Sequence, residues 1–270
     1  MEQVKRLEKV KANYYKVFLE SGETFHISED VLVRYRLLKG TELNSEQIAE
    51  ITLQTQLDHG YQLALNYLSY QLRTKKEIRD YLSKKEITAE NIPAIMKRLV
   101  DLKLVDDLVY GQSYVRTQAR LGDKGPRVIR EKLMQKGVSE LIIDESLEEY
   151  PFESQLAVAK KVAEKAERKY ERHSHTEKQR KIKQYLMSKG FSGDVITESL
   201  QALALEKDEE VEEDLLSLQG DKLWRKNQRF DAKKRKQKVT QSLYQKGFSF
   251  DLINDYIRNK EMEEEDGVND

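Results

Sequence analysis

Apolar residues four apart recur along this chain inside a phrase that is written four times. Leu82 to Met96 reads LSKKEITAENIPAIM, Leu133 to Leu147 LMQKGVSELIIDESL, Leu186 to Leu200 LMSKGFSGDVITESL, and Leu243 to Ile257 LYQKGFSFDLINDYI. A β-branched residue precedes each leading leucine by four positions (Ile78, Ile129, Ile182, Val239), so each pair lies on one helical face. Four residues after the leucine, three copies place glycine (Gly137, Gly190, Gly247), the residue that takes a left-handed helix cap without a Cβ clash, and the first places Glu86. An apolar residue follows, then Thr88, Ser139, Ser192 or Ser249, a hydroxyl suited to cap the next helix behind a hydrophobic staple. The phrase predicts a helix, a sharp turn and a second helix.

A further helical pattern lies ahead of each phrase: Tyr61 to Tyr70, Leu108 to Arg120, Gln155 to Tyr170 and Val211 to Asn227. Each unit therefore reads as three helices. TKKE at Thr74 and TEKQ at Thr176 have the form of capping boxes, and Pro126 after Gly125 suits a first helical turn. The leading leucines are 51, 53 and 57 residues apart, the mark of one supersecondary unit that stacks on its neighbours because it cannot bury its apolar face alone. The N-terminal segment differs. NYYKVFLESGETFHI carries strand formers on both sides of Ser21-Gly22, a tight hairpin turn, and Val4 to Lys11 adds a third strand. Ser28 is placed to cap a helix ending at Gly40, and Ser45 to cap EQIAEITLQTQL. The expected fold is mainly α: an elongated array of tandem three-helix repeats with a small N-terminal β-hairpin/helix module. The boundaries fall at 1–58 for that module, 59–106, 107–152, 153–205 and 206–260 for the repeats, and 261–270 for an acidic, disordered tail.

Composition narrows the class. Of 270 residues 38% are apolar and 36% charged, the balance of a folded helical protein, and only 12 glycines and 3 prolines punctuate it, too few for a sandwich of many turns. The absence of cysteine excludes disulfides and thiolate metal sites. No window approaches the roughly 18 apolar residues of a membrane span and the first residues lack a signal-peptide pattern, so the expected compartment is the cytoplasm.

Forty-eight basic and forty-eight acidic residues cancel overall, but not locally. Arg73 to Lys85 holds six bases and two acids, and the following segment to Asp107 is net −2. Gly111 to Gly137 is +5 and Val138 to Glu153 is −6; Val158 to Gln184 is +6 and Gly193 to Asp214 is −8; Lys222 to Lys246 is +9 and Asp251 to Asp270 is −6. Early helices are basic and third helices acidic. Stacked regularly, such units present a basic stripe to a polyanion and an acidic stripe to a basic surface; the alternative is a set of exposed salt bridges of little energetic weight.

Two clusters stand out. Arg116, Arg120, Lys124, Arg127 and Arg130 are spaced to form one patch at a loop and helix start, suited to phosphate oxygens. KLWRKNQRFDAKKRKQK, from Lys222, sets Trp224 and Phe230 among Arg225, Arg229, Lys233, Lys234 and Arg235, either as stacking rings for a single strand or as core anchors beside a solvated face. His173 and His175 are two positions apart and have no third ligand, so no metal is assigned. GDKG from Gly122 lacks the strand and the Lys-Ser/Thr ending of a phosphate loop, no nucleophile elbow occurs, and Asp106-Asp107 reads as a helix cap. No catalytic residue or cofactor is assigned.

ALNYLSYQLRTKKEIRDYL from Ala64, LVDD at Leu104, and YGQSYVRTQARLGDKGPRVIREKLMQKGV from Tyr110, in that order, resemble the signature of the RecX family of recombination regulators. The match covers residues 60 to 260, and the N-terminal extension with a fourth repeat resembles the long Gram-positive members. The resemblance implies a monomeric, non-enzymatic protein that binds the RecA recombinase and lies along its filament on single-stranded DNA, altering filament assembly, ATP hydrolysis and strand exchange. By position Asp107, Tyr114, Arg116, Gly125, Arg127, Ile129, Leu133, Lys136 and Gly137 match the family's central motif, and Lys85-Glu86 departs from its Lys-Gly turn. On this reading RecA or DNA contacts fall to Arg73, Lys76, Arg79, Arg116, Arg120, Lys124, Arg127, Arg130 and Lys136, with Trp224, Arg225, Arg229, Lys233, Lys234 and Arg235 as a second DNA-binding candidate. The rival readings are a helical-repeat nucleic-acid binder that needs no recombinase, and a pure protein scaffold.

Overall fold

The computed structural model describes residues 1–11 and 13–266. The chain opens with strands β1 (Glu2–Lys11), β2 (Tyr14–Leu19) and β3 (Thr24–Ser28), then helix α1 (Glu29–Arg34) and a short strand β4 (Glu42–Leu43). All neighbours are antiparallel in the order β3-β2-β1-β4. Gly22, at φ +95°, closes the expected β2–β3 hairpin. Ser28 caps α1 by accepting from the Val31 N–H, but the helix stops at Arg34 instead of running to Gly40: Arg36 turns into the left-handed region and buried Leu37 is drawn into the sheet's core. That core joins Val4, Val17, Leu19, Ile27, Val31, Leu37 and Leu43 to Ile51 of the next helix.

Helix α2 (Ser45–Leu68) is one element of 24 residues where the sequence pattern indicated two. Its cap is Asn44, not Ser45; the Asn44 side chain accepts from the Gln47 N–H at 2.8 Å and the Gln47 side chain accepts from the Asn44 N–H at 2.9 Å. Polar residues between Gln54 and His59 interrupt the apolar pattern, and the helix runs through them because buried Asp58 finds partners: the Ser28 hydroxyl donates to it at 2.6 Å and Arg98 at 3.2 Å.

Three helices then recur. After α2 come α3 (Lys75–Lys84) and α4 (Ile92–Asp101), then α5 (Asp107–Leu121), α6 (Pro126–Gln135) and α7 (Glu140–Leu147). The set α8 (Phe152–Lys169), α9 (His175–Lys189) and α10 (Gly193–Leu203) follows, and the last is α11 (Glu209–Lys226), α12 (Ala232–Gln245) and α13 (Phe250–Asp266). All eight residues of the four leading pairs, Ile78/Leu82 through Val239/Leu243, are fully buried, each worth about 2 kcal/mol of burial. Gly137, Gly190 and Gly247 adopt φ +81°, +90° and +87°, and Glu86 adopts +62° in the same place, so the departure in the first copy leaves the turn's geometry unchanged. An L-residue is strained there. Glu86→Gly is therefore expected to raise stability by about 1 kcal/mol, read as a later chemical-denaturation midpoint; an earlier midpoint would mean that the glutamate side chain itself contributes.

Ser192 and Ser249 accept from Val195 and Leu252 N–H as expected. Thr88 does not cap α4: a turn intervenes, and that helix begins after Asn91 without a side-chain cap. In α9 the cap is Ser174, two residues before Thr176, with Glu177 at the third helical position. Helix α13 continues to Asp266, correcting the expected tail from Glu261, because Trp224, Arg235 and Lys236 supply partners to Glu264 and Glu261. Residues 267–270, the rest of that segment, lie outside the described residues.

The chain divides into two compact units, residues 1–114 with 132–146 and residues 115–131 with 147–270. In the first, the start of α3 meets the end of α6: the Thr74 hydroxyl donates to the Lys136 carbonyl at 2.7 Å, and Asp107 accepts from the Lys75 N–H at 2.8 Å. In the second unit the contact occurs twice. The Gly125 N–H donates to the Lys189 carbonyl at 2.8 Å and Arg127 N–H to Gly190. The Ser174 hydroxyl donates to the Lys246 carbonyl, while Glu212 accepts from the His175 N–H at 2.8 Å. Each joint sets the positive end of one helix dipole on the negative end of another, and satisfies groups that helix ends leave unpaired.

Candidate functional site

The cations singled out on sequence grounds separate into two sets once their neighbours are known. Those at the joints are engaged. Arg73 lies over the Tyr67 ring at 4.0 Å, with Glu77 3.9 Å away; Lys76 donates to the Gln135 carbonyl at 3.2 Å, and Lys136 pairs with Glu77. Burial pushes the Glu77 carboxyl up, but the hydrogen bonds from Lys136 and the Thr74 N–H and the charges of Lys136 and Arg73 outweigh it and hold Glu77 below the usual carboxylate range. In the second unit Lys189 pairs with Asp123, and that hydrogen bond lowers the Asp123 carboxyl and raises the Lys189 amine. Lys136 and Lys189 occupy equivalent places before their cap glycines, and each pairs with an acid near the start of the neighbouring second helix, Glu77 inside α3 and Asp123 in the loop ahead of α6. Sequence reasoning took no notice of Lys189, although the repeated Lys-Gly pair marked it.

The cluster from Arg116 to Arg130 is not a patch of five free charges. Arg116 pairs with Glu149 at 3.0 Å. Arg127 pairs with Glu131 at 2.9 Å and donates to the Met187 carbonyl at 2.9 Å. Arg130 is partly buried. Arg120, exposed near the end of α5, and Lys124 in the following loop have no ion pair among the described residues. Exposed Arg79 is in the same condition; it stands with Lys75 and Lys97 around a groove of about 610 Å³ between α3 and α4, floored by Ile92, Pro93 and Met96.

The basic run of α12 also divides. Trp224 is buried at 5% exposure, donates to Glu264 at 2.8 Å and lies under the Arg235 guanidinium at 4.3 Å, so it is a core anchor and not a ring offered to a strand. Arg235 in turn pairs with Glu264, whose carboxyl is lowered first by the Trp224 bond and, against the opposing effect of burial, by Arg235. Arg225 donates to the Asp221 carbonyl at 3.3 Å. Half-buried Phe230 is ringed by Arg229, Lys234 and Lys238 at 4.9 to 5.3 Å, and exposed Lys233 has no ion pair among the described residues. Asp106 accepts from the Leu108 N–H at 2.8 Å and so caps the following helix as its spacing indicated, whereas Asp107 accepts from the Lys75 N–H at the start of α3, 32 residues earlier, a role the spacing did not indicate.

Basic second helices followed by segments with an excess of acids, and one joint repeated three times between successive second helices, define a tandem three-helix repeat protein with its charges sorted. Among the described residues no helix is long and apolar enough to cross a membrane. Residues 61–99 match the RecX first three-helix domain, 106–147 the second, and 153–200 and again 210–257 the third. The regulatory protein RecX of Enterococcus faecalis is 48% identical over 98% of this chain and its own full length, and that of Levilactobacillus brevis 44% over 90% of this chain and 91% of its own. A crystal structure of a regulatory protein RecX aligns with a TM-score of 0.66 at 36% identity, covering 75% of this chain and all of its own; RecX from Lactobacillus salivarius aligns at 0.53 and 43%, covering 56% and 98%. The chain belongs to the RecX family of regulatory proteins.

Proposed function

We propose that this chain regulates a RecA recombinase by docking on its filament on single-stranded DNA, altering filament assembly, ATP hydrolysis and strand exchange without catalysis of its own. It acts as a cytoplasmic monomer. The reading rests on RecX membership, and one observation carries it further: second helices and their flanking loops hold cations without an ion pair among the described residues, among them Arg79, Lys124 and Lys233, while the segments that follow the second helices carry the excess of acids. A polymer presents phosphates and identical protein faces at intervals, so serial contacts of this kind gain by effective concentration. The engaged cations Arg73, Lys76, Lys136 and Arg235 support the contact by holding the helices that bear the free ones.

Titrating the chain against RecA alone, single-stranded DNA alone and the assembled filament across salt concentrations tests the reading. Tightest binding to the filament is expected, and reversing Arg79, Arg120, Lys124 and Lys233 to glutamate is expected to weaken it at least about tenfold while circular dichroism stays native. Equal, salt-steep binding to naked DNA with no gain from RecA would instead identify a nucleic-acid binder that needs no recombinase.

A further inference from the structure

The matched three-helix domains begin at residue 61, and the module before them carries a surface of its own. Its sheet buries Val4, Val17, Leu19 and Ile27 on one side. On the other, Arg6 stands opposite Phe18, and Lys16 opposite His26. The Arg6 guanidinium, which also pairs with Glu8, lies 4.0 Å from the Phe18 ring centre, and the Lys16 amine approaches the same ring at 5.3 Å. The three long strands hold five bases and two acids.

This face continues through Tyr14 and His26 into a cleft of about 510 Å³, where Gln56 and His59 of α2 meet Lys85 and Asn91 of the α3–α4 turn. Most of the lining side chains are polar or aromatic, with Ile87 the one large aliphatic residue among them. The Tyr14 hydroxyl lies 3.0 Å from His59 Nδ1, with the two rings edge to face. Asn91 donates to Gln56 at 3.1 Å, which leaves the Gln56 amino group and the Asn91 carbonyl as a donor and an acceptor side by side. The cleft also borders Glu86, the one cap position of the four that keeps a strained non-glycine residue. Such strain gathers where a site constrains the backbone.

We infer that this sheet face and cleft form a binding site for single-stranded nucleic acid. Arg6, Lys16 and Lys85 face the phosphates, Phe18 and its cation layer give a stacking platform, and one base enters the cleft beside Tyr14 and His59 with its edge on the Gln56–Asn91 pair. Basic sheets with exposed rings suit unstacked bases, and paired amides suit a base edge. The inference deepens the proposed function and rests on it only in taking DNA as the strand.

The test is fluorescence anisotropy of labelled oligodeoxynucleotides without RecA, using the full chain. Arg6→Glu and Lys16→Glu are each expected to weaken binding roughly tenfold and to lower the salt slope by about one. His59→Ala is expected to weaken a base-bearing strand and to spare an abasic one. Irradiation of the unaltered protein with a bromouracil-substituted strand should cross-link peptides containing Tyr14 to Lys16 or His59. Unchanged affinity in natively folded Arg6→Glu and Lys16→Glu proteins, or cross-links confined to residues after 114, would overturn the inference. In parallel filament assays, loss of docking with oligonucleotide affinity intact overturns the recombinase reading and not this one.

Discussion

Gly125→Ala is expected to lower stability by about 3 kcal/mol, a large effect for one methyl group. The added Cβ would fall on the carbonyl carbon and oxygen of Gly190 and on the Phe191 nitrogen, all main-chain atoms that no rotamer change can move. Relief requires the two segments to part, which removes the Gly125 N–H bond to the Lys189 carbonyl at 2.8 Å and the Arg127 N–H bond to Gly190 at 3.2 Å. Gly190 cannot give way readily, since its own environment is filled by Val128 and its φ of +90° is already left-handed. Gly193→Ala is the control: nothing lies within 4 Å of its Cβ position at the start of α10, so its effect should stay within about 0.5 kcal/mol. Urea unfolding followed by circular dichroism compares the two, and equal midpoints for Gly125→Ala and the unaltered chain would mean that this joint is not formed.

Asp58→Ala is expected to cost about 2 kcal/mol and to act on the N-terminal module first. Asp58 is 4% exposed and ties three elements: its own α2, Ser28 at the end of β3, and Arg98 of α4. Removing it leaves the buried Ser28 hydroxyl with only its role at the start of α1, and releases the Arg98 guanidinium, which stacks on Tyr61 at 3.8 Å and is 42% exposed. Water reaches Arg98, which keeps the cost below that of a fully buried pair. Asp58→Asn retains an acceptor and should cost about half as much. Hydrogen exchange is the discriminating measurement: amides of β2 and β3 should lose protection ahead of those in α8 to α13, and uniform loss across the chain would contradict a local tie.

What the sequence disclosed was local. The Ile/Leu pairs, the cap glycines and the strand-forming run around Gly22 each act through neighbours a few residues away, so their spacing was enough to identify the elements they form. Features that depended on distant partners were hidden. The polar stretch from Gln54 to His59 looks like a helix break until Ser28 and Arg98, 30 and 40 residues from Asp58, satisfy it. Trp224 amid lysines suits a stacking ring equally well until Glu264, 40 residues on, takes its N–H. Spacing likewise suggested a common patch for Arg116 through Arg130, but could not reveal that Glu149 and the Met187 carbonyl engage two of its members. Glu86 is the reverse case: it breaks the written pattern while the backbone keeps the shape.

In all three joints a helix start hands a hydroxyl or amide hydrogen to a main-chain carbonyl at the end of another helix. An acceptor carried by the backbone is present whatever side chain occupies its position, so the turn after a second helix asks of its neighbour only a small residue or a hydroxyl at the start of the facing helix. Modules joined this way share one main-chain contact, although the side chains around it differ from joint to joint. A chain can lengthen by duplicating one without designing a new interface, and the double match of residues 153–200 and 210–257 to a single domain is the trace such an event leaves.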